Sequence, residues 1–181
     1  MTAPSETTDK DALRLRALAQ VGAGRAASAL ADLLGRAWKT RTQVVDSSQA
    51  LEGVDDATLL VIFEMEGAVG GLVGIFLPSA AREHMVSVLV PEEENEPSVI
   101  ESALREAANI VASQAVSAIA DFLDARITLS IPVVVEEQAA SAFAQRLAER
   151  SSRSLDISSQ SELQDPEAAL HALLVLSPDA I

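Results

Sequence analysis

The chain has 181 residues, of which 49% are apolar, and a formal net charge of −14. A surface this acidic repels nucleic acid and anionic membranes, so neither is expected as a partner. The absence of cysteine excludes disulfides and thiolate sites, and the two histidines leave little material for a zinc site or a Ser-His-Asp triad.

The N-terminal sequence MTAPSETTDKD is polar and acidic and lacks the apolar segment of a signal peptide. No apolar run reaches the roughly 18 residues that would cross a bilayer. We therefore predict an unexported, cytoplasmic protein. Residues 1–9 are predicted to be a disordered tail, and residues 10–181 a single domain built from two related halves, 10–90 and 97–181.

The first half is predicted to contain one long helix, three strands and a short helix. Apolar residues recur at helical spacing over residues 12–38, interrupted by Gly-Ala-Gly at 22–24. Apolar runs then predict strands at 40–46, 57–66 and 67–78, and a helix at 79–89. An acidic, proline-bounded linker follows at 91–97.

The second half repeats this order. Pro97 suits the first turn of a helix, and the helical pattern continues to about residue 125. A strand, a helix and two further strands are predicted at 125–137, 138–150, 153–163 and 168–178. The sequence therefore predicts an α+β fold, a pseudo-two-fold repeat of helix-strand-strand-strand with two long helices packed on an antiparallel sheet.

The Gly-Ala-Gly segment also fits the dinucleotide-binding pattern G-x-G-x-x-A, through Gly22, Gly24 and Ala27, with Asp46 about 20 residues further on. That pattern needs a buried strand before the first glycine, but the preceding segment LRLRALAQ carries two arginines. We therefore favour a structural role, in which the glycines let the helix approach a neighbouring element closely.

The second long helix carries a polar stripe. Ser102, Glu106 and Asn109 fall within about 60° of one another at 100° per residue, and Ser113 follows one turn later. The apolar residues on the opposite side are expected to face the sheet: Leu104, Val111, Ala115 and Phe122. By itself, such a stripe is typical of an ordinary solvated helix surface.

The spacing beyond the helix is more specific. Ser102, three residues, Glu106, two residues, Asn109 and then 22 residues to Pro132 resembles the signature of the CheC/CheX/FliY family of chemotaxis phosphatases, which remove the phosphoryl group from the response regulator CheY. All four fixed positions of that signature (Asp or Ser, Glu, Asn, Pro) and all three gaps are matched. The first half also resembles the family, because ALAQVGAGRAA is similar to the family's EIGNIGAGNAA.

The first half departs from the family at the signature positions. Aligning the Gly-Ala-Gly segments puts Leu13, Ala17 and Gln20 where Ser, Glu and Asn would stand, and Gln43 where proline would stand. The resemblance therefore implies one competent site, in the second half. Because the sequence ends shortly after the last predicted strand, the helix that follows this strand in the family is expected to be short or absent.

The resemblance implies a hydrolase in chemotaxis or two-component signalling that acts on the phosphoaspartate of a CheY-like receiver domain. The receiver's own acidic pocket would supply Mg²⁺, and no cofactor of the protein's own is expected. Asn109 would hold the attacking water, and Glu106 would contact a receiver lysine. Glu106 is not expected to act as the base, because an exposed carboxylate is a weak proton acceptor at neutral pH. Ser102 would support the contact, and Pro132, at the centre of its predicted strand, would shape that strand beside the helix.

A second hypothesis stays open. A protein of the same fold could bind a receiver without hydrolysing its phosphoryl group, as a flagellar-switch protein, an adaptor or a partner of the deamidase CheD. The two histidines, His84 and His171, and the acidic segment 92–96 are not expected to take part in either activity.

Overall fold

The computed structural model describes residues 6–150, 152 and 155–181. These residues form four α-helices: α1 (Glu6–Leu34), α2 (Ser79–Leu89), α3 (Pro97–Phe122) and α4 (Ala139–Glu149). They also form seven strands: β1 (Lys39–Asp46), β2 (Leu59–Gly67), β3 (Gly71–Leu77), β4 (Ile127–Leu129), β5 (Val133–Val135), β6 (Ile157–Asp165) and β7 (Leu170–Pro178). Among these helices, none combines the length and the apolar character needed to cross a membrane.

The two ends of the described chain differ in part from expectation. Residues 6–9, within the predicted tail, belong to α1, and residues 1–5 of that tail lie outside the described residues. At the other end, residues 179–181 after β7 are not helical.

The seven strands form one antiparallel sheet in the order β1-β6-β7-β3-β2-β4, with β5 also pairing with β2. The α+β prediction is therefore confirmed. Each half keeps its own hairpin, β2–β3 or β6–β7, but gives its first strand to the hairpin of the other half: β1 pairs with β6, and β4 and β5 pair with β2. This exchange joins the two halves in a single sheet.

Helices cover both faces of the sheet. Because successive strand residues point to opposite faces, Val61 and Phe63 of β2 pack in the cluster beneath α1 and α3, whereas Leu60 and Ile62 join the cluster that contains Phe143 of α4. α1 and α3 lie side by side on the first face. Their outer surfaces are therefore separated from α4 by the whole thickness of the sheet.

The Gly-Ala-Gly segment lies in the middle of α1, which is helical on both sides of it. This placement is incompatible with the dinucleotide-binding pattern, which requires a strand before the first glycine. Gly22 has the predicted packing role, because a Cβ there would lie 2.9 Å from Cδ1 of Ile119 and 3.4 Å from the carbonyl oxygen of Ala115, both on α3. A Cβ on Gly24 would meet nothing within 4 Å, so only one of the two glycines allows close helix packing.

The strand predicted at 125–137 is broken, and the prediction that Pro132 lies at its centre is wrong. β4 and β5 both pair with β2, with Leu129 opposite Met65 and Val133 opposite Ile62. Three residues, 130–132, lie between these paired positions on the β4–β5 segment, but only two, 63 and 64, lie between them on β2. This mismatch defines a β-bulge. Pro132 lies in the bulge, where its missing amide hydrogen interrupts no ladder.

Candidate functional site

The site is built on α3, a 26-residue helix that begins with Pro97 at its first turn. Pro97 fits this position because the first amides of a helix have no partner within the helix. The buried side of α3 consists largely of small and branched apolar residues: Leu104, Ala107, Ala108, Val111, Ala112, Ala115, Val116 and Ile119. These side chains let α3 lie close to α1 and the sheet. Phe122, which was also expected to face the sheet, is instead 59% exposed at the end of the helix.

The structure places the predicted polar stripe on the outer face of α3. Ser102 and Glu106 are exposed, whereas Asn109 and Ser113 are half-buried. Asn109 lies about 60° around the helix from the buried Ala112, at the border between the stripe and the packed side of the helix. Within the described residues, neither Asn109 nor Glu106 has a side-chain hydrogen bond or an ion pair, so both polar groups remain available to a partner.

Arg105, which the sequence analysis did not single out, lies beside this stripe. It is one turn before Asn109, about 40° around the helix on the side away from Glu106. Its guanidinium forms an ion pair with Glu101, four residues earlier. The sequence contained a usable signal, since Glu and Arg at this spacing on a helix commonly pair. Asn109 thus lies between a cation and an anion on the helix surface.

The bulge at Pro132 belongs to β4 and β5, at the sheet edge against which α3 packs. Before the bulge, the amide of Ser130 donates to the carbonyl oxygen of Glu64, and the amide of Glu64 donates to Oγ of Ser130, both at 2.9 Å. These bonds hold the chain firmly up to the point where it leaves the ladder. Ile131, the next residue, is 87% exposed, an apolar surface group that the sequence analysis missed.

A charged cluster at the end of α4, outside this stripe, contains a group with a shifted pKa. Arg150, at the end of α4, has its pKa raised by its hydrogen bond to Asp179 and further by the charges of Asp179 and Glu64. This cluster ties α4 and the chain after β7 to β2 and is structural. No group of three or more His, Asp or Glu side chains within the described parts of the chain is arranged to hold a metal ion.

Comparison with known proteins agrees with this geometry. The sequence model of the CheC-like family matches residues 99–136, the segment that contains Ser102, Glu106, Asn109 and Pro132. This segment of the chain is similar to the CheC-like family. No curated protein sequence matches it significantly.

Solved structures show the same fold for this chain. FliY from Thermotoga maritima superposes with a TM-score of 0.67 and 17% identity, covering 99% of this chain and 94% of that one. CheX from Borrelia burgdorferi, crystallised in a complex with CheY, BeF3 and Mg²⁺, gives a TM-score of 0.57 and 12% identity over 87% and 96% of the two chains. The middle domain of FliM from H. pylori gives a TM-score of 0.54 and 10% identity, covering 97% of this chain and 93% of that one.

The CheC-like signature is present once. On α1, the corresponding face carries Leu13, which is 68% exposed, with Ala17 and Gln20 following. Its neighbouring strand β1 is a regular partner of β6 throughout, and Gln43 pairs there with Gln160 by backbone register and by a side-chain hydrogen bond. The first half therefore keeps a carboxamide in Gln20 but lacks the serine, the carboxylate and the bulge of the second half.

Proposed function

We propose that the protein hydrolyses the phosphoaspartate of a CheY-like receiver domain in chemotaxis or two-component signalling. The observation that carries this proposal is the stripe of the exposed Ser102 and Glu106 and the half-buried Asn109, whose carboxylate and amide have no partner among the described residues. The stripe lies in the segment that matches the CheC-like family. The similarity of the fold to that of CheX, a protein crystallised with CheY, supports a receiver as the partner.

Asn109 supplies what this reaction requires of the phosphatase. Phosphoryl transfer needs an oriented nucleophile and stabilised charge more than covalent help from the protein. The carboxamide can accept a hydrogen bond from a water and donate one to it, which holds the water in line with phosphorus. As the water oxygen bonds to phosphorus, the bond from phosphorus to the aspartate oxygen breaks, releasing phosphate and a free carboxylate. The proton of the water leaves with the phosphate or to solvent.

Glu106 has a different role, in docking. It is exposed and has no ion-pair partner within the described chain, so it can meet a lysine of the receiver without first giving up an internal contact. Such a pair across an interface contributes to orientation and association rate more than to affinity. Ser102, one turn earlier, supports the same contact surface. The receiver contributes its own Mg²⁺, and the phosphatase binds no metal of its own.

The proposal is tested by following the decay of a phosphorylated receiver. Asn109→Ala should slow the catalysed decay by about a hundredfold, a typical cost for losing one polar group that acts on the transition state. Gln20→Ala is the matched control, because Gln20 occupies the corresponding position on α1 and carries the same carboxamide group. Equal decay with the wild-type protein, with Asn109→Ala and without any added protein would refute the phosphatase activity.

A binding module without hydrolysis is the second candidate. It is favoured by the similarity to FliY and to the middle domain of FliM, and by the first half, which keeps the fold without the signature. In this case the protein would bind the phosphorylated receiver in a pull-down, Glu106→Lys would weaken that binding, and no phosphate would be released. Adding CheD to both assays would test whether CheD is a partner.

A further inference from the structure

We propose that Arg105 sets the affinity of this site for the phosphorylated receiver, by contacting negative charge at the rim of the receiver's phosphorylation pocket. This inference rests on the proposed function, because it takes the α3 stripe as the receiver-binding surface. It adds a specificity-determining residue to a site so far described by Ser102, Glu106, Asn109 and Pro132.

The position of Arg105 beside Asn109 supports this role. At 100° per residue, Arg105 and Glu106 lie on opposite sides of Asn109, about 40° and about 60° away. A partner that brings its phosphoryl group to Asn109 therefore meets a cation on one side and an anion on the other. The side chain of Arg105 is 46% exposed, so it reaches the surface that the partner would cover.

The charges of the two surfaces also favour a cation at this position. The protein carries a net charge of −14, and a phosphorylation pocket built to bind Mg²⁺ is acidic, so the two surfaces repel each other overall. Arg105 is the one cation of α3, against the three acidic residues Glu101, Glu106 and Asp121. A single guanidinium beside Asn109 therefore provides the local attraction that the surrounding surface lacks. The flat guanidinium is also well suited to carboxylate and phosphate oxygens.

Arg105 contributes to binding and not to the chemical step. The ion pair with Glu101 draws the guanidinium toward the N-terminus of α3, one turn beyond Arg105 itself. Helical side chains lean in this direction, so the amide of Asn109 lies near the level of Arg105 and Glu106. The guanidinium is thus held away from the reacting atoms, where it meets the rim of the pocket. Its loss should raise KM and leave kcat nearly unchanged.

The first half of the chain offers a matched control. The alignment that places Leu13 on Ser102 also places Arg16 on Arg105, so the same residue type occurs at the same helical position in a half without the signature. Arg16 is exposed as well, but the position of Glu101 is taken there by Ala12. A general effect of surface charge would appear at both arginines, whereas a contact at the site would appear only at Arg105.

The experiment measures kcat and KM for dephosphorylation with Arg105→Glu, Arg105→Gln, Arg105→Lys and Arg16→Glu. Arg105→Glu should raise KM by at least about tenfold, because it places like charges in contact, while kcat stays within about twofold. Arg105→Gln should give a smaller rise, and Arg105→Lys should keep most of the affinity. Arg16→Glu should stay within about twofold of the wild type. Circular dichroism and Tm will show whether each variant is folded.

Binding of the receiver, loaded with beryllofluoride or left unloaded, is measured alongside at low and high salt. Arg105→Glu should weaken binding of the loaded receiver, and this loss should be larger at low salt than at high salt, because salt screens exposed charges. If binding of the unloaded receiver is weakened equally, the charge that Arg105 contacts lies on the receiver's carboxylates. If only binding of the loaded receiver is weakened, Arg105 contacts the phosphoryl group.

The outcomes distinguish this inference from the proposed function. If neither the wild type nor Asn109→Ala accelerates decay of the phosphorylated receiver, the phosphatase proposal fails, but Arg105 can still be tested in the binding assay. An unchanged KM and unchanged binding in folded Arg105→Glu would overturn the inference, as would an equal effect in Arg16→Glu or a fall in kcat alone.

Discussion

Arg25 of α1 donates from Nε to Oε1 of Gln114 on α3 at 3.1 Å, and these two residues occupy the same position in the two halves of the chain. They are 89 residues apart, the same offset that separates Leu13 from Ser102 and Gln20 from Asn109. The hydrogen bond therefore crosses the pseudo-two-fold axis, with α1 and α3 antiparallel on either side of it.

The same offset shows which positions the two halves share. Five pairs of identical residues 89 apart are buried in both halves: Leu15 and Leu104, Ala19 and Ala108, Ala23 and Ala112, Ala26 and Ala115, Ala50 and Ala139. The exposed signature positions, by contrast, differ between the halves. Small buried residues fix the distance between the helices and the sheet, so the packing constrains both halves, while only the second retains the polar stripe.

Gly22 and Gly24 should respond oppositely to larger side chains. Gly24→Ala should raise the free energy of unfolding by about 0.5–1 kcal/mol, because alanine is the better helix former and the added methyl group meets nothing. Gly22→Leu should lower it by at least about 2 kcal/mol, because the side chain would be driven into Ile119 and the backbone of α3. Chemical denaturation measures both. Equal stability of the two variants would show that α1 and α3 are not in close contact at Gly22.

Pro132 should matter more for activity than for stability. Pro132→Ala supplies an amide hydrogen in the bulge opposite Phe63, which allows β5 to shift by one residue along β2. We expect the rate of receiver dephosphorylation to fall by about three- to tenfold, with a change in unfolding free energy within about 1 kcal/mol. Pro166→Ala, in the exposed β6–β7 turn, is the control for removing a proline. Full activity in Pro132→Ala would show that the bulge plays no part in the site.

Local patterns in the sequence were enough to predict the helices, the hairpins and the α3 stripe. The spacing of apolar residues reports directly on which side of a helix is buried, which is why Ser102, Glu106 and Asn109 were expected on one face. Which strands would pair was not predictable in this way. The pairing of β1 with β6 joins residues such as Gln43 and Gln160, and their contact depends on the arrangement of the whole chain.

Two local features were missed for physical reasons. An apolar run such as residues 125–137 fits both a continuous strand and two short strands, and a proline inside it permits an edge position or a bulge. Arg105 was missed because it lies outside the four signature positions. Its relevance became visible only with its pairing to Glu101 and its place beside Asn109 on the folded helix.

The stability of the protein should decrease in acid partly through Asp165. This carboxylate is almost fully buried in the β6–β7 hairpin. Burial raises its pKa, but hydrogen bonds from the amides of Ala168 and Glu167 and from Arg36 lower it by more, so the pKa lies below its ordinary value. A carboxyl group with a lowered folded-state pKa contributes stability above its unfolded pKa of about 3.9, and that contribution is lost as the pH falls through the lower folded value.

We therefore expect Asp165→Asn to lower Tm at neutral pH and to flatten the fall of Tm between about pH 5 and about pH 2. Glu167→Gln is the control, because Glu167 also faces Arg36 but is 84% exposed. It should change neither the neutral Tm nor its pH dependence appreciably. Thermal unfolding at a series of pH values gives both quantities. A pH dependence of Tm in Asp165→Asn as steep as in the wild type would show that other carboxyl groups dominate acid unfolding.

The packing beneath α4 should be sensitive to volume changes in both directions. Phe143 of α4 lies edge-to-face against Phe76 of β3, with ring centroids 5.5 Å apart. A Cβ on the buried Gly74 would lie 2.7 Å from Phe143 and 2.8 Å from Phe76, and neither rigid ring can bend away. Gly74→Ala should therefore cost about 1–3 kcal/mol of unfolding free energy. Phe143→Ala, which opens a cavity, should cost about 3–5 kcal/mol.

The double variant tests whether these two costs arise at one place. In Gly74→Ala with Phe143→Ala, the new methyl group occupies space left by the ring, so the combined cost should be smaller than the sum of the two single costs. Denaturant unfolding of all four proteins measures this coupling, and strictly additive costs would contradict the contact. Because α4 and the α3 stripe lie on opposite faces of the sheet, the folded fraction of each variant should dephosphorylate the receiver at the wild-type rate.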